Sequence, residues 1–195
     1  NGKFQNVAGS AGLSGPKKGR SVTFSDFDHD GDYDLLLAQS EGGNLLYSNA
    51  NGKFERVTNV DLSNADHPSS TTAGDTDNDG DVDVAIGDSD GGADSGDSVY
   101  LNAGGGNNNW LVLVLQGSTS NRSAIGAKVV VRTGILLQVG VVNAGNGKNQ
   151  DSMPLEFGLG AATSADVVVF WPSGKQQSMT GVAPNRKVTI TEPAN

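Results

Sequence analysis

The 195-residue sequence contains no cysteine, which removes disulfides and thiolate-bound metals from consideration but gives no information on redox compartment. Histidine occurs only at His29 and His67, both in loop-like stretches. With two such histidines and no cysteine, neither a Ser-His-Asp nor a Cys-His nucleophilic set can be assembled, so an enzyme is not expected. Aromatic residues make up 6% of the chain, and Trp110, Trp171, Tyr47 and Tyr100 fall in strand-like stretches where core packing is the default. Long hydrophobic runs are missing. The longest, Trp110 to Leu115 (WLVLVL), has the length of a strand and is far below the roughly 18 residues of a membrane helix. No leader segment is legible and the sequence opens inside a repeat, so a mature or trimmed chain is expected. Positive charge is also scarce: 13 Lys and Arg against 22 Asp and Glu leave a net −9, which argues against nucleic acid or an anionic membrane as partner.

Glycine is plentiful, at 28 residues, and charged residues are only 18%, which suits a turn-rich all-β protein. Much of the acidity is concentrated in two stretches, DFDHDGDYD (Asp26 to Asp34) and DTDNDGDVD (Asp75 to Asp83), which together hold ten of the 22 acidic residues. Both read Asp-x-Asp-x-Asp-Gly-x-x-Asp. Carboxylates at positions 1, 3, 5 and 9 (Asp26, Asp28, Asp30, Asp34; Asp75, Asp77, Asp79, Asp83) can converge on one hard cation. The position-7 residues, Asp32 and Asp81, would each add a backbone carbonyl. Gly31 and Gly80, at position 6, permit the sharp turn. Ca²⁺ fits best because it accepts six to eight oxygens in loose geometry, so two calcium sites are expected. Two such ions would bring the net charge from −9 to −5.

These are not EF-hand loops. Position 12 is Leu37 or Ile86 where a bidentate Glu is needed, and strand formers follow rather than a helix. His29 occupies an even position, which speaks against zinc or copper. An Asp-x-Asp phosphoryl-transfer loop would need a Ser or Thr and a Lys placed on the phosphate, and nothing supplies them. Simple solvated acidic turns are also possible for one such run, but two copies in the same register with the same glycine point to metal.

The loops belong to an internal repeat. NGKF recurs fifty residues apart (Asn1 to Phe4, Asn51 to Phe54), the loops recur 49 apart, and LLYSNA (Leu45 to Ala50) matches VYLNA (Val99 to Ala103). One unit reads as four antiparallel strands, which is a propeller blade: blade one over 21–58 and blade two over 71–103. Blade two lacks its fourth strand, and the chain opens with a surplus one, NGKFQNV (residues 1–7). Two blades cannot close a ring, for which about four are needed. The surplus strand therefore folds back locally, completes blade two of a neighbouring molecule, or is the remnant of a longer propeller.

From Trp110 the composition shifts to β-branched runs, marking a second domain, so the expected division is 1–106 and 107–195. Seven strands with intervening turn signals read as a β-sandwich. The continuous apolar VVVFW (Val167 to Trp171) suggests a strand covered on both faces. FGLGAAT (Phe157 to Thr163) is read as a turn. The irregular acidic stretch Asp88 to Asp97 reads as a mobile loop rather than a third site, and His67 as a surface histidine. Asn121-Arg-Ser123 is a glycosylation sequon.

The first half resembles FG-GAP/VCBS-type repeats, the blades of integrin-α-like propellers, through FSDFDHDGDYDLLLA, LLYSNANGKF and VYLNAGGGNNNW. The second half resembles the ASPIC/UnbV domain found after such repeats in cartilage-acidic-protein-like and bacterial surface proteins. That likeness rests on NNWLVLVLQGSTSNRSAIGAKVVVRTG, PLEFGLGAATSADVVVFWPSGK and GVAPNRKVTI. The resemblance implies calcium ligation by the Asp residues named above and supplies no assigned catalytic activity to carry over. One stretch departs from the family pattern: GNGKNQDS (Gly145 to Ser152) carries Lys148 where the family has an aromatic. The expectation is an all-β, calcium-stabilised extracellular structural protein whose partner is a further copy of itself. The alternative is an adhesion module that binds a glycan or a surface protein.

Overall fold

The computed structural model of the protein describes residues 2–13, 15, 18–62, 68–88, 96–104, 107–134, 136–145 and 153–194. Among these there are strands and turns and no helix, as the glycine-rich, β-branched composition predicts. Contacts divide the chain into two compact units. One comprises Asn1–Ser25, Asp32–Thr72 and Val84–Tyr100; the other comprises Asp26–Gly31, Ala73–Asp83 and Leu101–Asn195.

In the first unit, β1 (Gly19–Ser25), β2 (Asp34–Gln39), β3 (Leu45–Ala50) and β4 (Lys53–Arg56) form a four-stranded antiparallel sheet in sequence order. Its small core gathers Leu35, Leu45 and Tyr47, against which Leu13, Leu37 and Phe54 pack. The turn into β4 uses Asn51 and Gly52, both at positive φ (54° and 80°), the signature of a tight hairpin. β5 (Pro68–Gly74), β6 (Asp83–Asp88) and β7 (Ser98–Tyr100) form a second sheet, three-stranded among the described residues rather than four. The equivalent first strands are linked by hydroxyls: Thr71 Oγ1 lies 2.6 Å from Thr23 Oγ1 and 2.9 Å from Ser21 Oγ.

Gly2–Val7, expected as a strand, pairs with no strand among the described residues; Phe4 is fully exposed and Val7 half exposed. A short turn follows, in which Ala11 and Leu13 donate back to the carbonyls of Val7 and Ala8.

The second unit contains two sheets sharing one core. β10 (Leu136–Val141), β9 (Lys128–Thr133), β12 (Ala165–Phe170) and β13 (Gln176–Val182) form one sheet in that order; β11 (Leu155–Gly160), β8 (Asn109–Gln116) and β14 (Arg186–Thr191) form the other. Leu111, Leu113, Val129, Val131, Phe157 and Val167 are among the buried residues that bring both sheets into a single cluster. β8 pairs antiparallel with β11 but parallel with β14. All seven strands expected in this half are present.

Two local readings change. The run around Val168 is not covered on both faces: Val167 and Val169 are buried, whereas Phe170 is 41% exposed. Its alternation, hidden in an all-apolar word, is that of a one-sided strand. FGLGAAT is not wholly a turn either, since β11 runs on to Gly160 before the chain reverses. Asp66, His67, most of Asp88 to Asp97 and most of Gly145 to Ser152 lie outside the described residues.

Candidate metal centres in the acidic loops

Each acidic loop caps an antiparallel hairpin. Ser25 pairs with Asp34, so β1 and β2 bring the first and ninth loop positions side by side. The turn is repeated in detail: position 4 is left-handed in both loops (His29 φ 60°, Asn78 φ 65°), and so is the glycine at position 6 (Gly31 φ 100°, Gly80 φ 99°). His and Asn are among the side chains that accept φ near 60°, whereas φ near 100° is open only to glycine, which is why glycine recurs at position 6. In both loops the position-5 amide donates to the position-3 carboxylate, at 3.2 Å for Asp30 to Asp28 and 3.2 Å for Asp79 to Asp77.

The result is two matching triads. Carboxylate oxygens of Asp26, Asp28 and Asp34 lie within 4.8 Å of one another, as do those of Asp75, Asp77 and Asp83. These are positions 1, 3 and 9. Asp30 and Asp79, at position 5, stand outside the triads; Asp79 Oδ1 accepts from the Asp81 amide at 2.9 Å. The position-7 side chains have their own partners. Asp32 Oδ2 accepts from the Asn51 amide at 2.6 Å, and Asp81 Oδ1 lies 3.6 Å from His29 Nδ1.

The triads are built for charge. Asp26, Asp34 and Asp83 are nearly fully buried. Asp34 Oδ1 accepts from the Asn49 amide and Asp83 Oδ1 from the Asn102 amide, both at 2.8 Å, fixing the two position-9 carboxylates identically. Burial pushes the Asp83 carboxyl up, but hydrogen bonds from Thr76 (side chain and amide) and from the amides of Asn102 and Asp77 outweigh it and hold the group below its ordinary range. Asp77 moves the other way: the Asp79 amide pulls it down, yet partial desolvation and the charges of Asp79 and Asp83 leave it raised. Mutual repulsion of this kind is what a cation relieves. Asp75 Oδ1 is buried without a hydrogen-bond partner among the described residues, a cost of about 1–3 kcal/mol unless something electropositive meets it. An all-oxygen donor set with a buried orphan oxygen fits a hard divalent cation, Ca²⁺ above Mg²⁺.

Several groups that steady the loops are not legible as functional in the sequence. In the second unit, Asn102 Nδ2 donates to the Phe27 carbonyl and Asn108 Nδ2 to that of Asp28, both at 2.9 Å. The Gly160 amide donates to the His29 carbonyl at 2.9 Å, and Lys187 Nζ to Asn78 Oδ1 at 2.8 Å. Glu156 Oε1 accepts from the Asp75 amide at 3.1 Å. Gly158 passes so near loop one that any side chain there would strike Asp26 and the His29 backbone. Only the repeated Asn-Ala of the matching strands, Asn49 and Asn102, signalled this layer in advance.

Asn121, in the sequon, is exposed but structurally occupied. Its amide exchanges two hydrogen bonds with the Ile125 backbone, both 2.8 Å.

The hairpin-capping triads, repeated on two antiparallel sheets, define a blade-type repeat protein with Asp-rich loops. The family comparison agrees: residues 26–86 match the FG-GAP-like repeat and residues 117–195 match ASPIC and UnbV. The two matches follow one another along the chain, the FG-GAP-like repeat first and ASPIC and UnbV second. FG-GAP repeats are propeller-blade modules, often calcium-binding and typical of extracellular or surface proteins. No curated protein matches the chain. No helix among the described residues is long and apolar enough to cross a membrane.

Proposed function

We propose that this is a non-enzymatic, calcium-stabilised extracellular structural protein. In this reading it assembles head to tail, by donation of the N-terminal strand (residues 1–7) to the second sheet of a neighbouring copy. One observation carries it: among the described residues, the N-terminal segment pairs with no strand of its own chain, and the second sheet lacks the fourth strand that the first one has. Gly2–Val7 carries the same NGKF start as β4, and among the described residues β7 has no outer neighbour where β3 has β4. The repeat specifies a register. Tyr47 pairs with Arg56, so Tyr100 of one copy faces Asn6 of the next. Main-chain hydrogen bonds would supply affinity and the exposed Phe4 an anchor. A contact between two different surfaces propagates into a ring or a filament.

Calcium is assigned a structural role. In loop one Asp26, Asp28 and Asp34 would hold it, in loop two Asp75, Asp77 and Asp83. The ion supplies positive charge that cancels the repulsion within each triad. The chain's own part is to present the carboxylates ionised and fixed, through the Asn49, Asn102 and Thr76 hydrogen bonds.

The experiment is negative-stain electron microscopy with and without a calcium chelator, together with an Asn6→Cys/Tyr100→Cys variant. Because the chain has no native cysteine, any disulfide in that variant is the engineered one. Filaments or rings that dissolve on chelation, and disulfide-linked oligomers from the double variant, support the reading. Dispersed monomers in both conditions with no intermolecular disulfide overturn it.

A further inference from the structure

We propose that the outward face of the β10-β9-β12-β13 sheet is a second self-association surface, on which two copies pair face to face. Alternation along the strands sends Val129, Val131, Val167 and Val169 into the core and leaves their neighbours outside. The registers arrange the outer residues in three rows. Leu137, Arg132 and Asp166 form the first, Val139, Val130, Val168 and Ser178 the second, and Val141, Lys128, Phe170 and Gln176 the third.

Leu137, Val139, Val141 and Phe170 are 41–53% exposed, an apolar stretch that a lone sheet face does not need. The middle row and part of the first line an open groove of about 370 Å³, including Val130, Arg132, Asp166, Val168 and Ser178.

The charges select the occupant. Arg132 and Asp166 are cross-strand neighbours, and the Lys128 ammonium stands 6.0 Å from the centre of the Phe170 ring. A twofold axis parallel to the strands lays β9 of one copy over β12 of the other and keeps each row in place. Arg132 then meets Asp166 of the second copy, Lys128 meets Phe170, and Val130 meets Val168. The two central strands are therefore complementary to themselves, as a twofold contact requires, while Val139 and Val141 of β10 lie over Ser178 and Gln176 of β13. A partner of one charge sign would satisfy only one member of the Arg132–Asp166 pair. Four strands about 4.8 Å apart and three rows roughly 7 Å apart give a plane of about 400 Å² on each copy, about 800 Å² in all, which is the scale of a weak, reversible contact and far below that of a permanent dimer. This contact is separate from strand donation and would join chains side by side.

The test is sedimentation velocity of the full chain carrying Phe4→Asp, which removes the strand anchor, over a concentration series. The parent is expected to form dimers as concentration rises. Arg132→Asp alone and Asp166→Arg alone are each expected to stay monomeric, since each sets like charges face to face. An equimolar mixture of the two restores opposite charges across the interface, although each chain still has like charges across β9 and β12. Recovery of dimer in the mixture supports the proposal. A parent that stays monomeric, single variants that dimerise undiminished, or a mixture that stays monomeric overturns it. Change in assembly between the native chain and Phe4→Asp reads strand donation separately.

Discussion

Position 4 of the first acidic loop meets position 7 of the second: His29 Nδ1 lies 3.6 Å from Asp81 Oδ1. The imidazole is 2% exposed, and its backbone carbonyl is held by the Gly160 amide. Burial lowers its pKa and outweighs the opposing pull of Asp81, Asp28 and Asp79, so the ring is neutral at neutral pH and works as a packed wedge rather than a counter-ion. His29→Ala empties that space. It is expected to lower unfolding stability by about 2–4 kcal/mol, measured by denaturant titration at fixed calcium. It is also expected to weaken calcium binding in the second loop, whose Asp81 loses its neighbour. Unchanged stability and unchanged affinity would show that the two loops do not lean on each other.

Gly158 gives a sharper test of the same packing. An added methyl there collides with the Asp26 carboxylate, which is buried, and with the His29 backbone, which cannot swing aside as a side-chain end can. Gly158→Ala is expected to cost at least about 1–3 kcal/mol. Its metal phenotype should be one-sided, with the loop-one site impaired and the Asp75, Asp77 and Asp83 site retained. Terbium luminescence titration against wild type reads this directly.

Glu192 governs an acid-dependent part of stability. Its carboxylate is buried, accepts from the amides of Ser118, Thr119 and Ser120 at 2.7–2.9 Å, and is also bonded by the Ser120 and Ser173 hydroxyls. Desolvation raises its pKa, but the Ser173 hydroxyl and the three amides together bring it from 4.5 down to about 2. The folded state prefers the ionised group, so this contribution is complete above pH 4.5 and is lost as pH falls toward 2. Glu192→Gln should lower the melting temperature at neutral pH, and the gap to wild type should close across that window. A gap that stays constant down to pH 2 would contradict the assignment.

Calcium removal should loosen both hairpins. At about a hundred times Kd each bound ion adds about 2.7 kcal/mol to the folded state, a sizeable part of a typical domain stability of 5–15 kcal/mol. Chelation is therefore expected to lower the melting temperature, and re-addition to restore it. Asp28→Asn and Asp77→Asn should each lose part of the calcium-dependent rise and together nearly all of it, as read by calorimetry with and without calcium.

What was legible in advance followed from local chemistry. Aspartates at fixed offsets around a glycine announced both loops, because a cation needs donors at set positions of one turn. The seven strands of the second half were visible as β-branched runs. Pairing was not: β8 lies parallel to β14, a partnership across some seventy residues of chain that no local pattern records. The outer face of β12 was hidden because Val168 and Phe170 are as apolar as the buried valines beside them. His29 carries no signal of burial in its own loop, and the residues that meet its backbone, Gly158 and Gly160, lie far along the chain. Glu192 in TEPAN carries no sequence signal, since its partners are mostly amides of a distant loop. The equivalence of Asn49 and Asn102 was present as a repeat, but their grip on Asp34 and Asp83 emerged only in three dimensions.

The most direct measurement is calcium stoichiometry by isothermal titration, checked by elemental analysis of dialysed protein. Two ions per chain are predicted for wild type, one each for Asp28→Ala and Asp77→Ala, and none for the double variant. Wild-type protein that takes up no calcium saturably, or variants that still bind two ions, would contradict the account.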